Sequence, residues 1–341
     1  MHIHLFRGNR RQFLKLTGLS FLATQLPAVA QGSPPFPVKP PRLQVGDTIG
    51  LVSPASLIDA EDLAFATGFL TNLGFQVKTS PHILAEYGYL AGTDQQRATD
   101  LNGMFADDQV KGILATRGGW GSGRILPLLD YDLIARHPKV ILGYSDITSL
   151  LLAIYARTGL VTFHGPLGIY PWSLLSLNYS RQMLVQGDTI FLRNLATVPV
   201  ETITPGKARG RLLGGNLSVI SDLLGSAYLP SWQQAILFLE EIGEDVYRVD
   251  RMLNHLKLAG VLEQVAGVIF GQCTRCFDKD DPEPSLTLSQ VLVDHLRPLG
   301  IPVWYGSMIG HIRHQFIIPV GIEVEIDAQQ GTIKMLESAV S

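Results

Sequence analysis

Only two cysteines, Cys273 and Cys276, occur in the 341 residues. That excludes a disulfide scaffold and any four-cysteine zinc site. Neither charge dominates: 27 Lys and Arg face 30 Asp and Glu, a formal −3, so no nucleic-acid partner is expected. The sequence has no Walker motif and no His-Glu-x-x-His. It also lacks Gly-x-Gly-x-x-Gly, which removes a nicotinamide-dependent oxidoreductase. No metal and no organic cofactor is called for. No clean apolar run is long enough to span ~30 Å of hydrocarbon, so stable membrane insertion is not expected. With 34 Gly and 20 Pro a coiled coil is excluded, and 46% apolar residues exclude general disorder. At ~150 residues per domain the length fits about two domains.

Residues 1–30 read as an address. They carry Arg7, Arg10, Arg11 and Lys15 and no acid. The broken apolar run Leu16 to Ala30 ends in Ala28-Val29-Ala30, a small-x-small cleavage signal. Asn9-Arg10-Arg11-Gln12-Phe13-Leu14-Lys15 is similar to the twin-arginine export motif, with Asn9 where Ser or Thr is usual. That machinery exports folded proteins, so the expected home is the periplasm or an equivalent envelope compartment. A frayed N-terminal helix is the plainer alternative. Removing the four basic residues with the signal takes the formal charge from −3 to −7. Residues 31–41, with five prolines, read as an extended linker.

From Thr48 the pattern alternates. Strands are expected at Thr48–Val52, Gln76–Thr79, Gly112–Thr116, Lys139–Leu142 and Val161–Phe163, and helices at Ala60–Leu73, Gln95–Phe105, from Arg124, and at Ile147–Arg157. This predicts a doubly wound parallel sheet in a domain over 42–185, with ligands at the strands' carboxyl ends. Residues 186–205 are taken as a linker. A mixed α/β domain follows over 206–341, with helices from Asn216, Arg248 and near Leu286, and strands near Ala235, Gly267, Val303, Ile322 and Thr332.

The sharpest local feature is Gly143-Tyr144-Ser145-Asp146, a turn between an apolar strand and a helix. A serine there projects its hydroxyl from the sheet edge, beside helix N-terminal amides able to hold an oxyanion. The Gly-x-Ser-x-Gly form is not met, since Ile147 takes the last place. Ser145 or Asp146 as a plain helix cap is the alternative. The Gly-rich turn Arg117 to Gly123 allows close backbone approach, either for oxyanion amides or for a tight connection. Glu240 follows five apolar residues, at the rim of a buried sheet, where a carboxylate can orient a histidine. His311 follows a glycine after a strand, with His314 its nearest rival, and His164 lies just past a strand end, where it would line the site. Cys273-x-x-Cys276 is half a zinc site at most, so two inert thiols or a local disulfide are the readings.

The order of these segments resembles the LD-carboxypeptidase (muramoyltetrapeptide carboxypeptidase) family of serine peptidases. The matching stretches are Arg117-Gly-Gly-Trp-Gly-Ser-Gly-Arg124, Gly143-Tyr-Ser-Asp146, Thr162-Phe-His-Gly-Pro166, Gly214-Gly-Asn-Leu217, Leu239-Glu-Glu-Ile-Gly-Glu244 with Tyr247–Leu253, and Gly310-His311 with Ile318-Pro-Val-Gly321. They run over nearly the whole chain after the signal. Trp120 stands where Tyr or Phe is common, and Ile312-Arg-His-Gln315 is an unusual continuation.

The resemblance implies a Ser-His-Glu triad spanning the two domains, with the active site at their interface. Ser145 would be the nucleophile, His311 the general base and Glu240 the orienting carboxylate. The amides of Asp146 and Gly119 would form the oxyanion hole. It also implies a homodimer, and hydrolysis of the bond before the terminal D-alanine of murein tetrapeptides. The substrate carboxylate needs a local cation, for which Arg117, Arg124, Arg248 and Arg251 are candidates, with Trp120 and His164 as further lining residues. Two alternatives remain. A microcin-immunity-type peptidase would cleave a peptidyl- or aminoacyl-nucleotide and stack the base on Trp172 or Trp232. An exported binding protein would have no catalysis.

Overall fold

The structure is a computed structural model that describes residues 37–277 and 285–341. The export signal read over 1–30 and most of the linker read over 31–41 lie outside the described residues. The first sheet holds β1 (Thr48–Val52), β2 (Gln76–Thr79), β3 (Val110–Ala115), β4 (Val140–Gly143) and β5 (Thr162–His164). Residues 186–205, expected as a linker, instead carry β6 (Phe191–Arg193) and β7 (Glu201–Thr204). Then come β8 (Lys207–Asn216), β9 (Ile236–Ile242), β10 (Gly267–Thr274), β11 (Val303–Tyr305), β12 (Ile318–Val320), β13 (Glu323–Asp327) and β14 (Thr332–Met335).

The first sheet has the order β12-β5-β4-β3-β1-β2. Its five N-terminal strands run parallel, and β12 returns from the C-terminal half to pair antiparallel with β5. β1, β3 and β4 are almost wholly buried, as strands covered on both faces must be. The helices between them start where polar side chains cap them: Asp59 with Asp62 before Ala60–Asn72, and Thr93 with Gln96 before Asp94–Ala106.

The second sheet, β6-β14-β13-β8-β9-β10-β11-β7, is mixed. Its unanticipated centre is β8, whose Lys, Arg and Gly content resembles a loop. The alternation is nevertheless that of a strand. Lys207, Arg209 and Arg211 face Asp327, Glu325 and Glu323 of β13 in ion pairs of 3.3, 2.6 and 3.6 Å. Farther along, Gly214 has φ 151°, and a side chain there would strike the Phe238 carbonyl oxygen at 1.8 Å. The end of β8 meets the first sheet at the helix Thr148–Thr158, where the Asn216 amide donates to Thr148 Oγ1 at 3.0 Å.

Candidate active site

β4 is buried along its length and ends in a turn. Ser145 sits in that turn at φ 62°, one of three non-glycine residues with positive φ among the described residues. A single 3₁₀ turn, Ser145–Ile147, leads into the helix Thr148–Thr158. The left-handed conformation costs an L-residue about 1–2 kcal/mol. It gives the strand–turn–helix form of a nucleophile elbow without the glycine spacing.

Ser145 Oγ lies 3.0 Å from His311 Nε2, and His311 Nδ1 lies 2.8 Å from Glu240 Oε2. Three side chains 71 and 166 residues apart are thus joined in one relay. Glu240 is wholly buried on β9. Burial pushes its carboxyl up, but the hydrogen bond and charge of His311 outweigh this and hold it below the usual range. Gly310, at φ 111°, brings the histidine in: a Cβ there would lie 2.6 Å from Glu240 Oε2. The Tyr144 ring packs 4.7 Å from the imidazole of His311, whose carbonyl accepts from Thr274 Oγ1 at 3.0 Å. His314 is exposed.

A cleft of about 630 Å³ opens beside Ser145, lined by Gly119, Trp120, Arg124, Asp146, Asp222 and Glu244 among others. Asp146 and Gly119, expected to supply amides, therefore both border it. Trp120 is half exposed at its wall. Of the four arginines considered for a carboxylate, Arg124 alone lines the cleft. Asp94 clasps its Nε and Nη2, which leaves Nη1 without a partner among the described residues. Arg117 donates to the Leu57 carbonyl, Arg248 pairs with Glu244 and Asp245, and Arg251 stacks on Tyr247.

His164 does not line the cleft. It is fully buried, edge-on to Tyr144 and Phe238, because β5 runs on through it and pairs on both sides. Burial holds its pKa down at about 4, so it is neutral. Trp172 and Trp232 are also elsewhere: Trp172 donates to the Leu167 carbonyl and packs on Phe69, and Trp232 is buried.

Glu241, not singled out from sequence, is also buried and borders the cleft. It accepts from Asn216 Nδ2, the Ser218 amide and its neighbour's amide. Burial and the charge of Glu240 nevertheless push it up to about 7. Nor was Arg97 anticipated, although a lone arginine on the same helical face as Leu101 and Met104 was a readable signal. The Asp146 carboxylate does not cap its own helix. It accepts from the Ser122 amide at 2.7 Å, across the Gly-rich turn. Cys273 and Cys276 form a disulfide at the end of β10.

Residues 49–165 match the LD-carboxypeptidase N-terminal domain and residues 209–326 the LD-carboxypeptidase C-terminal domain. The chain is similar to the probable murein peptide carboxypeptidase of Bacillus subtilis (strain 168): 40% identity over 308 residues, covering 89% of this chain and 95% of that one. Similarity to the murein tetrapeptide carboxypeptidase of Pseudomonas aeruginosa is 31% over 284 residues, covering 80% and 91%. Among solved structures, MccF in complex with glutamyl sulfamoyl guanosine matches with TM-score 0.81 at 29% identity, covering 89% of this chain and all of that one.

Proposed function

This chain belongs to the LD-carboxypeptidase family, and we propose that it removes the terminal D-alanine from murein tetrapeptides through an acyl-enzyme on Ser145. It is a serine-type hydrolase by that membership. The observation that carries the reading is the unbroken relay Ser145–His311–Glu240, with links of 3.0 and 2.8 Å. His311 Nε2 takes the Ser145 proton as Oγ attacks the scissile carbonyl. Glu240 holds the tautomer with the Nδ1 proton facing it and stabilises the imidazolium. The amides of Asp146 and Gly119 receive the developing oxyanion, worth about 3 kcal/mol per donor. His311 then protonates the leaving D-alanine amine and activates water to release the peptide.

The cleft supports this substrate chemically. Arg124 offers a cation for the terminal carboxylate, and Asp222 offers a carboxylate for the ammonium of a diamino acid. Neither Trp172 nor Trp232 stands in the cleft, so a nucleotide base would have to stack on Trp120 at its wall. The test presents the protein with a murein tetrapeptide and, separately, an aminoacyl sulfamoyl nucleoside. Release of D-alanine from the first, with the second intact, is the expected result. The reverse would establish the nucleotide reading, and binding of peptide without turnover would establish a binding protein.

The Arg10-Arg11 motif supports export to the envelope, where a Cys273–Cys276 disulfide is chemically at home. Replacing both arginines by lysine should retain the protein in the cytoplasm on fractionation. Family resemblance supports a homodimer, which sedimentation of the purified protein would check.

A further inference from the structure

Besides Glu241, two titratable groups lie buried near the cleft with no part in the relay. Arg97 is about 1% exposed and Asp146 about 7%. Arg97 Nη1 donates to the carbonyls of Pro54 at 2.6 Å and Gly121 at 2.8 Å. Its Nη2 meets Asp94, which also clasps the cleft-lining Arg124. From the opposite side, Asp146 Oδ2 accepts from the Ser122 amide at 2.7 Å, and the Asp146 carbonyl accepts from Ser122 Oγ at 2.6 Å. Ser149 Oγ closes this arrangement, 2.6 Å from Ser122 Oγ.

Gly121-Ser122 is therefore held on one side by a guanidinium that reaches from the helix Asp94–Ala106 and also ties down Pro54 in the loop after β1, and on the other by the residue following the nucleophile. The Gly121-Ser122 loop also carries Gly119. Farther round, the Ser56 amide donates to the Gly118 carbonyl at 3.1 Å, and Ser56 Oγ accepts from the Trp120 amide at 3.3 Å. Three loops, after β1, β3 and β4, are thus fixed to one another by directional bonds. Burying charge costs free energy, and well-packed apolar side chains of equal volume often serve stability as well or better. What apolar side chains cannot supply is direction.

We propose that Asp146 and Arg97 are positioning residues, a buried clamp that sets the distance between the two oxyanion amides of Gly119 and Asp146. The proposal rests on the reading of Ser145 as nucleophile. A clamp of this kind acts only where charge develops, so it stabilises the transition state and leaves ground-state binding alone. Asp146→Asn keeps the shape but weakens the carboxylate's bond to the Ser122 amide. Ser122→Ala removes the hydroxyl link and leaves the amide in place.

The test is steady-state hydrolysis of a murein tetrapeptide by the full chain and both variants. It is paired with inhibition by a tripeptide boronic acid whose boron replaces the scissile carbonyl, and with binding of the tripeptide product. In Asp146→Asn, kcat should fall on the order of 10²-fold, as for a misplaced reacting group, and in Ser122→Ala by about fivefold. KM and product affinity should stay within about twofold, while boronate affinity weakens by the same factor as kcat/KM. A merely structural pair would lower thermal stability without that split. Unchanged boronate affinity in Asp146→Asn, or parallel loss of product and boronate binding, overturns the clamp. If Asp146→Asn does not fold, Ser122→Ala decides by the same boronate comparison. A wild-type protein that binds the boronate but leaves the tetrapeptide intact would count against the substrate assigned to the site, and the variants' boronate affinities would still judge the clamp.

Discussion

The two sheets hold their parts of the relay by different means. In the parallel sheet, Ser145 is fixed by backbone: a left-handed residue at the end of a buried strand, with loop carbonyls and amides tied around it. In the mixed sheet, Glu240 and His311 are fixed by side chains, a buried carboxylate at a strand end and an imidazole on a loop, joined at 2.8 Å. One half stores its precision in conformation and the other in charge. Damage to the first should appear in position and stability, and damage to the second in protonation.

The sharpest separation comes from Ser145→Gly. Activity should fall by about 10⁵–10⁶, as when a serine nucleophile is lost. The protein should nevertheless become more stable by about 1 kcal/mol, because glycine adopts φ 62° without penalty. Turnover and urea unfolding on the same preparation would check both, and a destabilised variant would contradict a strained elbow. On the charged side, Glu240→Gln should cost kcat about 10⁴-fold with little change in fold, since the wrong tautomer is then favoured. Steady-state rates with circular dichroism would read this. Gly310→Ala bridges the two kinds of damage: its Cβ would fall 2.6 Å from Glu240 Oε2 at φ 111°. Activity should drop about 10²-fold and stability by about 1–3 kcal/mol, measured on one sample.

A smaller effect distinguishes two buried titrating groups by sign. Glu241, pushed up to about 7, keeps its proton in the folded protein where the unfolded chain releases it near the usual 4.5 of a glutamate. Its contribution to stability therefore falls as pH rises through that window, by up to about 3 kcal/mol, and is level above it. His164, held down at about 4 against a usual 6.5, works the other way. Its neutral form contributes stability that is present above 6.5 and lost as pH falls toward 4. Denaturant unfolding from pH 4 to 8 should show Glu241→Gln flattening the first slope and His164→Phe the second. Least of all, Arg209→Ala on β8 should cost under about 1 kcal/mol and leave turnover unchanged, because its ion pair with Glu325 lies on the solvent-facing side of the sheet.

The same division explains what the sequence disclosed. β1, β3, β4 and the elbow were legible because apolar runs bounded by turns have few other solutions. β8 was not, because its strand signal lies in charges that make sense only opposite Glu323, Glu325 and Asp327, over a hundred residues later. β6, β7 and β12 are short edge additions whose pairing is purely tertiary. In the site, Ser145, Glu240 and His311 were found through ordered family motifs, since no local period links residues so distant in the chain. His164 was misjudged because a strand end reads as exposed until β12 covers it. The side-chain role of Asp146 was hidden by its position after the serine, where a cap and an amide donor both fit.

The most direct measurement is mass spectrometry of a purified murein tetrapeptide incubated with the wild-type protein and with Ser145→Ala. The account predicts loss of one terminal D-alanine with the wild type and an intact tetrapeptide with the variant. An intact tetrapeptide with both, or equal cleavage by both, would contradict it.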